Sequence, residues 1–225
     1  MSRVLQSPAG LDELLRRRDV WRMRGGMSTG IEGIPTGFAA LDRALPGRGW
    51  PAFGLIEVRC PEPGSAALPL LLPAFSRLSG LGAWLGLVAP PHIPYAPGLA
   101  GQGIDLARLL WVEPHTGDER RWAFEQVLRS GVFRAAVAWS CDGDDERVFS
   151  RAGTRRLQLA AESSRTLGVL VRSNRADTDG SASVLRLALE HSPGGAVVTV
   201  EKCRGHRPTG RVILRAVDDG WQTAT

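Results

Sequence analysis

Leu55-Ile56-Glu57-Val58-Arg59-Cys60-Pro61-Glu62-Pro63-Gly64-Ser65-Ala66-Ala67-Leu68 is the stretch on which the fold turns. Leu55 to Val58 reads as a buried strand, and the Pro- and Gly-bearing turn after it leads into an apolar helical segment. A nucleotide-binding protein would carry GxxxxGK[ST] at such a turn. There the backbone N–H groups cradle phosphates, the lysine reaches the β and γ phosphates, and the hydroxyl holds magnesium. If Cys60 and Ser65 take the two glycine positions, Ala66 stands where the lysine must be and Ala67 where the hydroxyl must be. Pro61 and Pro63 remove N–H donors from the turn, while Pro69 and Pro73 disturb the helix start whose dipole would face a phosphate. Residues Cys60, Gly64, Ser65, Ala66 and Ala67 thus form a degenerate nucleotide loop: the strand-turn-helix plan is present without its chemical parts.

Outward from this turn, apolar runs at 83–88, 109–112, 135–139 and 167–171 alternate with helical stretches. That is the pattern of an α/β protein with a mostly parallel twisted sheet, and the near-continuous runs predict strands buried on both faces. The clearest helix begins at Thr116, where Thr116 and Glu119 have capping-box spacing. Ala123, Phe124, Val127 and Leu128 form its buried stripe, and Gly131 ends it. A second helix is predicted over 154–164. The pattern then changes to alternating strands at 184–189, 196–200 and 211–217 with short turns such as Ser192-Pro193-Gly194-Gly195, which predicts antiparallel strands added at the sheet edge. At the other end, Leu11, Leu14, Leu15 and Trp21 share one side of an amphipathic helical segment, with Arg16, Arg17, Arg18, Arg22 and Arg24 opposite. GGMSTG separates it from the body. It either folds back on its own domain or serves as an arm for another subunit or partner. The expected division is 1–30 for the arm and linker, 31–217 for the core and 218–225 for a loose tail.

Composition excludes whole classes. With 225 residues, 43% hydrophobic and 23% charged, the chain can build a core and is not disordered. Its longest apolar run, 66–75, falls far short of the roughly 20 residues that a bilayer requires, and charges interrupt the start where a secretory leader would be apolar, so the expected place is the cytosol. Three separated cysteines, Cys60, Cys141 and Cys203, indicate neither a disulfide framework nor a zinc site. The net charge of +5 is carried by the two ends, and Lys202 is the chain's sole lysine. Lys202, Arg204, Arg207, Arg211 and Arg215 form a basic C-terminal hairpin that faces either phosphate or, as the stronger reading, an acidic protein partner.

Other chemistries lack their residues. The four histidines show no HxxxH or HExxH spacing, and no GxSxG elbow exists. His92 reads as a packed loop residue, and Asp142, Asp144 and Asp145 as a solvated acidic loop. Trp84, Trp111, Trp122 and Trp139 read mostly as packing, whereas Trp21 and Trp50 flank the flexible lead-in as an exposed anchor. Arg172, Asn174 and Arg175 offer a weak candidate phosphate contact.

Ile34-Pro35-Thr36-Gly37-Phe38-Ala39-Ala40-Leu41-Asp42-Arg43-Ala44-Leu45-Pro46-Gly47-Arg48-Gly49-Trp50-Pro51 resembles the TGxxxLDxxLGxGGxPxG lead-in of RecA-type recombinases. Residues 103–131 resemble the RecA strand and helix that read GVDxxxLLxxxPxTGEQALEIxxxLxRSG, and 198–204 an edge strand of the form VKVVKNK. The wording of 34–51, the run at 89–97 and TRRLQLAAE at 154–162 resemble the ImuA family in particular, over about 34–217. This resemblance implies a RecA-like core and a non-catalytic accessory role in SOS-induced mutagenic translesion synthesis. It also implies partnership with RecA and an ImuB-like polymerase-related protein and, through the latter, an error-prone DnaE-type polymerase. Departures from RecA imply no ATP hydrolysis and no cofactor. Ala89-Pro90-Pro91 follows the second strand where a water-polarising glutamate belongs, and Trp139-Ser140 ends the fourth where a metal-supporting aspartate belongs. The connections at 141–152 and 175–183 are short where RecA carries its central DNA-binding loops, so direct DNA contact is expected to be weak. Self-association through the arm is open. The alternative reading is a SulA-type division inhibitor that binds FtsZ.

Overall fold

The computed structural model of the chain describes residues 33–61, 67–140, 148–174, 180–208, 210–217 and 220–223. The arm residues Leu11, Leu14, Leu15 and Trp21, the loop residues Gly64, Ser65 and Ala66, and the acidic loop Asp142, Asp144 and Asp145 lie outside the described residues.

Nine strands form one sheet in the order β3-β2-β4-β5-β1-β6-β7-β8-β9. The predicted parallel half is present as β1 (Gly54–Cys60), β2 (Trp84–Val88), β3 (Leu109–Val112), β4 (Phe133–Trp139) and β5 (Leu167–Ser173). β6 (Leu185–Ser192) joins β1 in parallel, and β7 (Gly195–Cys203), β8 (Gly210–Val217) and β9 (Gly220–Thr223) continue antiparallel. β9 falls in the stretch read as a loose tail. A strand added to an open edge needs only backbone groups, and β8 offers a free row of them.

Two hydrophobic clusters hold the layers. On one face, Phe38, Leu41 and Leu45 of the lead-in helix α1 (Ala39–Ala44) and its flanks, with Leu70, Leu71, Ala74 and Phe75 of α2 (Ala67–Gly80), cover Ile56, Val58, Val137, Val169 and Leu187. α2 runs through both Pro69 and Pro73 where disturbance was expected. Pro69 lies in the first turn, where an amide has no intrahelical partner to lose. Across the sheet, α4 (Gly117–Arg129) and α5 (Arg151–Ser164) place Phe124, Leu128, Leu157 and Ala161 over Leu55, Ala136, Ala138 and Leu170. The short α3 (Ala96–Gly101) lies between β2 and β3.

The capping box is formed as predicted. Thr116 Oγ1 accepts from the Glu119 amide at 3.2 Å, and Glu119 Oε2 accepts from the amides of Thr116 and His115 at 3.1 and 2.9 Å. Those two backbone donors, His115 first, hold the Glu119 carboxyl below its ordinary pKa. The cap is therefore fully present above the unfolded carboxylate pKa and is lost as pH falls through the lowered folded value. Wild type should exceed Glu119→Gln in stability at neutral pH, and the gap should close as denaturant midpoints are followed into acid. A gap that stays constant into acid would contradict the assignment.

Two expectations about burial fail for the same reason: distant partners decide burial. β3 is the end strand of the sheet, so Leu110 and Trp111 are 37% and 42% exposed instead of buried on both faces. Trp50, read as an exposed anchor, is 0% exposed. Ile34 and Trp50 exchange backbone hydrogen bonds of 2.8 and 2.7 Å, and this bridge lays the indole into the cluster beneath α2. The bridge also explains Gly49, because a Cβ there would lie 2.3 Å from the Ile34 carbonyl oxygen. His92 is exposed and Trp122 stands out on α4, against the packed readings of both.

Candidate functional site

The β1-to-α2 turn is the first place to examine. Of its predicted residues, Cys60 and Ala67 are described, and both are buried in the cluster beneath α2. Burial pushes the Cys60 thiol up to about 12, so it stays protonated and unreactive. At about pH 8 iodoacetamide should leave Cys60 unmodified in the folded chain and alkylate it once urea unfolds the protein. Peptide mass mapping would contradict this if Cys60 were modified at the same rate in both states. The neighbouring Arg59 points away from the cluster, donating to Glu201 on β7 at 3.0 Å and to the Asn174 carbonyl oxygen at the end of β5.

Beside the turn lies a charged knot that the sequence reading did not select. Glu57, fully buried in the middle of β1, accepts from Arg172 Nη1 at 3.2 Å, Arg186 Nε at 3.0 Å and Ser183 Oγ at 3.0 Å. Each charge interrupts an apolar strand, and that interruption was the available signal, since a buried charge must be paired. Arg172 is 1% exposed, which removes it from the surface role of phosphate contact considered for it. Arg175 lies outside the described residues.

The predicted basic hairpin divides into two groups. Lys202 Nζ donates to the Ser181 carbonyl at 2.6 Å and is half-buried, and desolvation, reinforced by Arg186, lowers its pKa. Arg204 donates to Glu162 of α5 at 3.0 Å and to the Ala182 carbonyl at 2.9 Å. These two clamp the 181–182 segment between β7 and α5. Arg207, Arg211 and Arg215 are exposed and have no partner among the described residues. An apolar cleft of about 240 Å³ opens where Leu45, Pro51 and Phe53 of the lead-in meet Leu185, Cys203 and His206. At the far edge, Ile93 and Tyr95 of the Pro-rich loop are about three-quarters exposed, and Trp111 lies on the open strand β3.

The fold is shared with known proteins. A crystal structure of the RadB recombinase matches with a TM-score of 0.66 at 16% identity, covering 85% of this chain and all of that one. RecA of Prochlorococcus marinus is 32% identical over 128 residues, 57% of this chain and 32% of its own length. The protein is of the RecA-like class, with a mostly parallel sheet extended by antiparallel C-terminal strands. Its match to protein ImuA of Caulobacter vibrioides is far longer, 30% identical over 227 aligned positions that cover 88% of this chain and 89% of the relative. The chain belongs to the ImuA family, RecA-like proteins of translesion synthesis and DNA repair. No family model matches it. Among the described residues no helix is long and apolar enough to cross a membrane.

Proposed function

We propose that the chain is a non-catalytic accessory protein of SOS-induced mutagenic translesion synthesis, an interaction module that bridges RecA and the mutasome of an ImuB-like protein and an error-prone DnaE-type polymerase. The observation that carries this reading is the near-full-length ImuA relationship together with a sequence in which Ala66 and Ala67 replace the lysine and hydroxyl of a phosphate loop. Phosphoryl transfer needs a phosphate-holding lysine, a magnesium-holding hydroxyl and a group that orients the attacking water. The strand ends where such groups belong carry Ala89-Pro90-Pro91 after β2 and Ser140 after β4, and the Ser140 amide is engaged with the Val171 carbonyl. Around the turn, polar side chains are committed to other contacts, Arg172 to Glu57 and Arg59 to Glu201. What the core presents instead is surface: arginines with no partner among the described residues on one flank and exposed Ile93, Tyr95 and Trp111 on the other.

In this reading the arm residues Leu11, Leu14, Leu15 and Trp21 engage a RecA-like surface, and the basic C-terminal hairpin holds the ImuB-like protein. The protein works in the cytoplasm, at the nucleoid during DNA damage. Removing the gene should bring damage-induced mutation frequency down to the uninduced level, and the wild-type chain supplied in trans should restore it. Unchanged mutagenesis in the deletion strain, with filamentous cells on overexpression, would replace this reading with a SulA-type division inhibitor acting on FtsZ.

A further inference from the structure

The strands β6 to β8 have two unlike faces. One bears Leu187, Leu189, Ala196, Val198, Val212 and Leu214, packed in the cluster with Phe38 and Leu41 beneath α1 and α2. The other carries no described helix, because the cluster beneath α4 and α5 takes no residue from β6, β7, β8 or β9. Register fixes what this open face shows. Ala188, Thr199 and Arg211 lie in one row, Glu190, Val197 and Ile213 in the next, and Ser192, Gly195 and Arg215 in the third. Ala188 and Val197, 8% and 9% exposed, lie low on this face, while Glu190 of β6 and Arg211, Ile213 and Arg215 of β8 stand exposed beside them.

This face is positively charged, its rows carrying Arg211 and Arg215 against Glu190. Arg59, Arg108, Arg121, Arg129, Arg156 and Arg204 all have ion pairs within the chain. Arg211 and Arg215 have none among the described residues, and Ile213 between them is 56% exposed. Glu190 is the one carboxylate in these rows against Arg211 and Arg215, so a second copy docked by two-fold symmetry would still bring an excess of positive charge together. The chain's own first 30 residues carry six arginines against three acidic residues, so their charge does not complement this face. An acidic occupant is what remains, and the half-exposed isoleucine over Val197 favours protein over nucleic acid, since among the described residues no aromatic ring on this face offers a base-stacking platform. In an α/β protein the layer that completes a bare sheet face is a helix.

We propose that the open face of β6 to β8 docks an acidic amphipathic helix of a partner protein, its carboxylates on Arg211 and Arg215 and its apolar stripe on Ile213. Arg211 and Arg215 are about 14 Å apart along the strand. Their side chains reach carboxylates at i and i+7 of one helix face, about 10.5 Å apart, while a residue at i+3 or i+4 sits over Ile213. The inference rests on the reading of the chain as an interaction module and narrows the basic hairpin to its partner-facing residues, since Lys202 and Arg204 are occupied as clamps.

The test places a photo-crosslinking p-benzoylphenylalanine at position 213 of the full chain in cells treated with a DNA-damaging agent, with the attached peptide identified by mass spectrometry. The expected product is an acidic peptide of amphipathic helical pattern. Its yield should fall about tenfold in Arg211→Glu/Arg215→Glu and hold in Arg77→Glu/Arg155→Glu, an equal charge change at exposed positions of α2 and α5. If thermal melts show the double reversal unfolded, Arg211→Gln/Arg215→Gln takes its place. Crosslinks to DNA, to a basic peptide or to this chain itself, no crosslink at all, or a yield indifferent to both arginines would overturn the proposal. Capture of the ImuB-like protein by the same variants separates the two levels. Capture that survives the double substitution without a crosslink sinks this face alone, whereas an acidic crosslinked helix from an unrelated protein, with no ImuB-like protein captured, keeps the face and sinks the mutasome reading.

Discussion

Glu57→Ala should destabilise the fold by about 3–5 kcal/mol, the range found when one member of a buried ion pair is removed. Glu57 is fully buried, and Arg172 and Arg186 both donate to it, with side chains 1% and 11% exposed. Removing the carboxylate takes a charged acceptor from both guanidinium groups, and it also takes the acceptor from Ser183 Oγ. The effect should spread beyond β1, because Glu57 ties together β1, the end of β5 and the start of β6, three adjacent parallel strands of which β6 begins the antiparallel pairing with β7. Glu57→Gln keeps the shape and an acceptor but no charge, so it should recover only part of the loss. Urea midpoints of the three proteins measure this, and a loss below about 1 kcal/mol for Glu57→Ala would mean that the knot contributes no more than an exposed pair.

Charging the arm should act on function with the opposite specificity. Leu14→Asp/Trp21→Asp is expected to weaken RecA capture about 30-fold or more, the loss that follows when apolar anchors worth 2 kcal/mol or more are removed. The core should melt unchanged, because the proposed function places Leu14 and Trp21 on a partner and not in the core. Titrating RecA against tagged wild type and the double variant reads the first quantity, and a thermal melt of each reads the second. Equal RecA affinity in the two proteins would show that the arm is not the contact, and a lowered melting temperature would show that it packs on its own core.

How far this was legible follows from the range of the interactions. The capping box Thr116 and Glu119, the strand at Leu109–Val112 and the change to antiparallel pairing after β6 depend on neighbours in sequence, and the sequence reading locates them. Trp50 and β3 depend on what lies opposite. The same apolar run can be a central or an edge strand, and only the sheet order, which places β3 outermost, decides that Trp111 meets solvent. The basic hairpin shows the limit from the other side. Lys202, Arg204, Arg211 and Arg215 are neighbours in the chain and alike in charge, yet the 181–182 segment takes the first two and the open face of β8 the others. Glu57 was within reach, since a carboxylate in the run Leu55-Ile56-Glu57-Val58 has to find a cation, but its partners come from 115 and 129 residues away.

In the function proposed above, the RecA-like core binds its partners without a nucleotide cycle. The most direct measurement is a co-expression capture of the tagged chain against the ImuB-like protein, RecA and FtsZ of its own cell, at low and high salt, each with and without ATP and magnesium. The ImuB-like protein and RecA should be captured to the same extent in either nucleotide condition, with the ImuB-like contact weakened by salt as its arginines are screened. Capture that appears only with ATP, or capture of FtsZ alone, would contradict it.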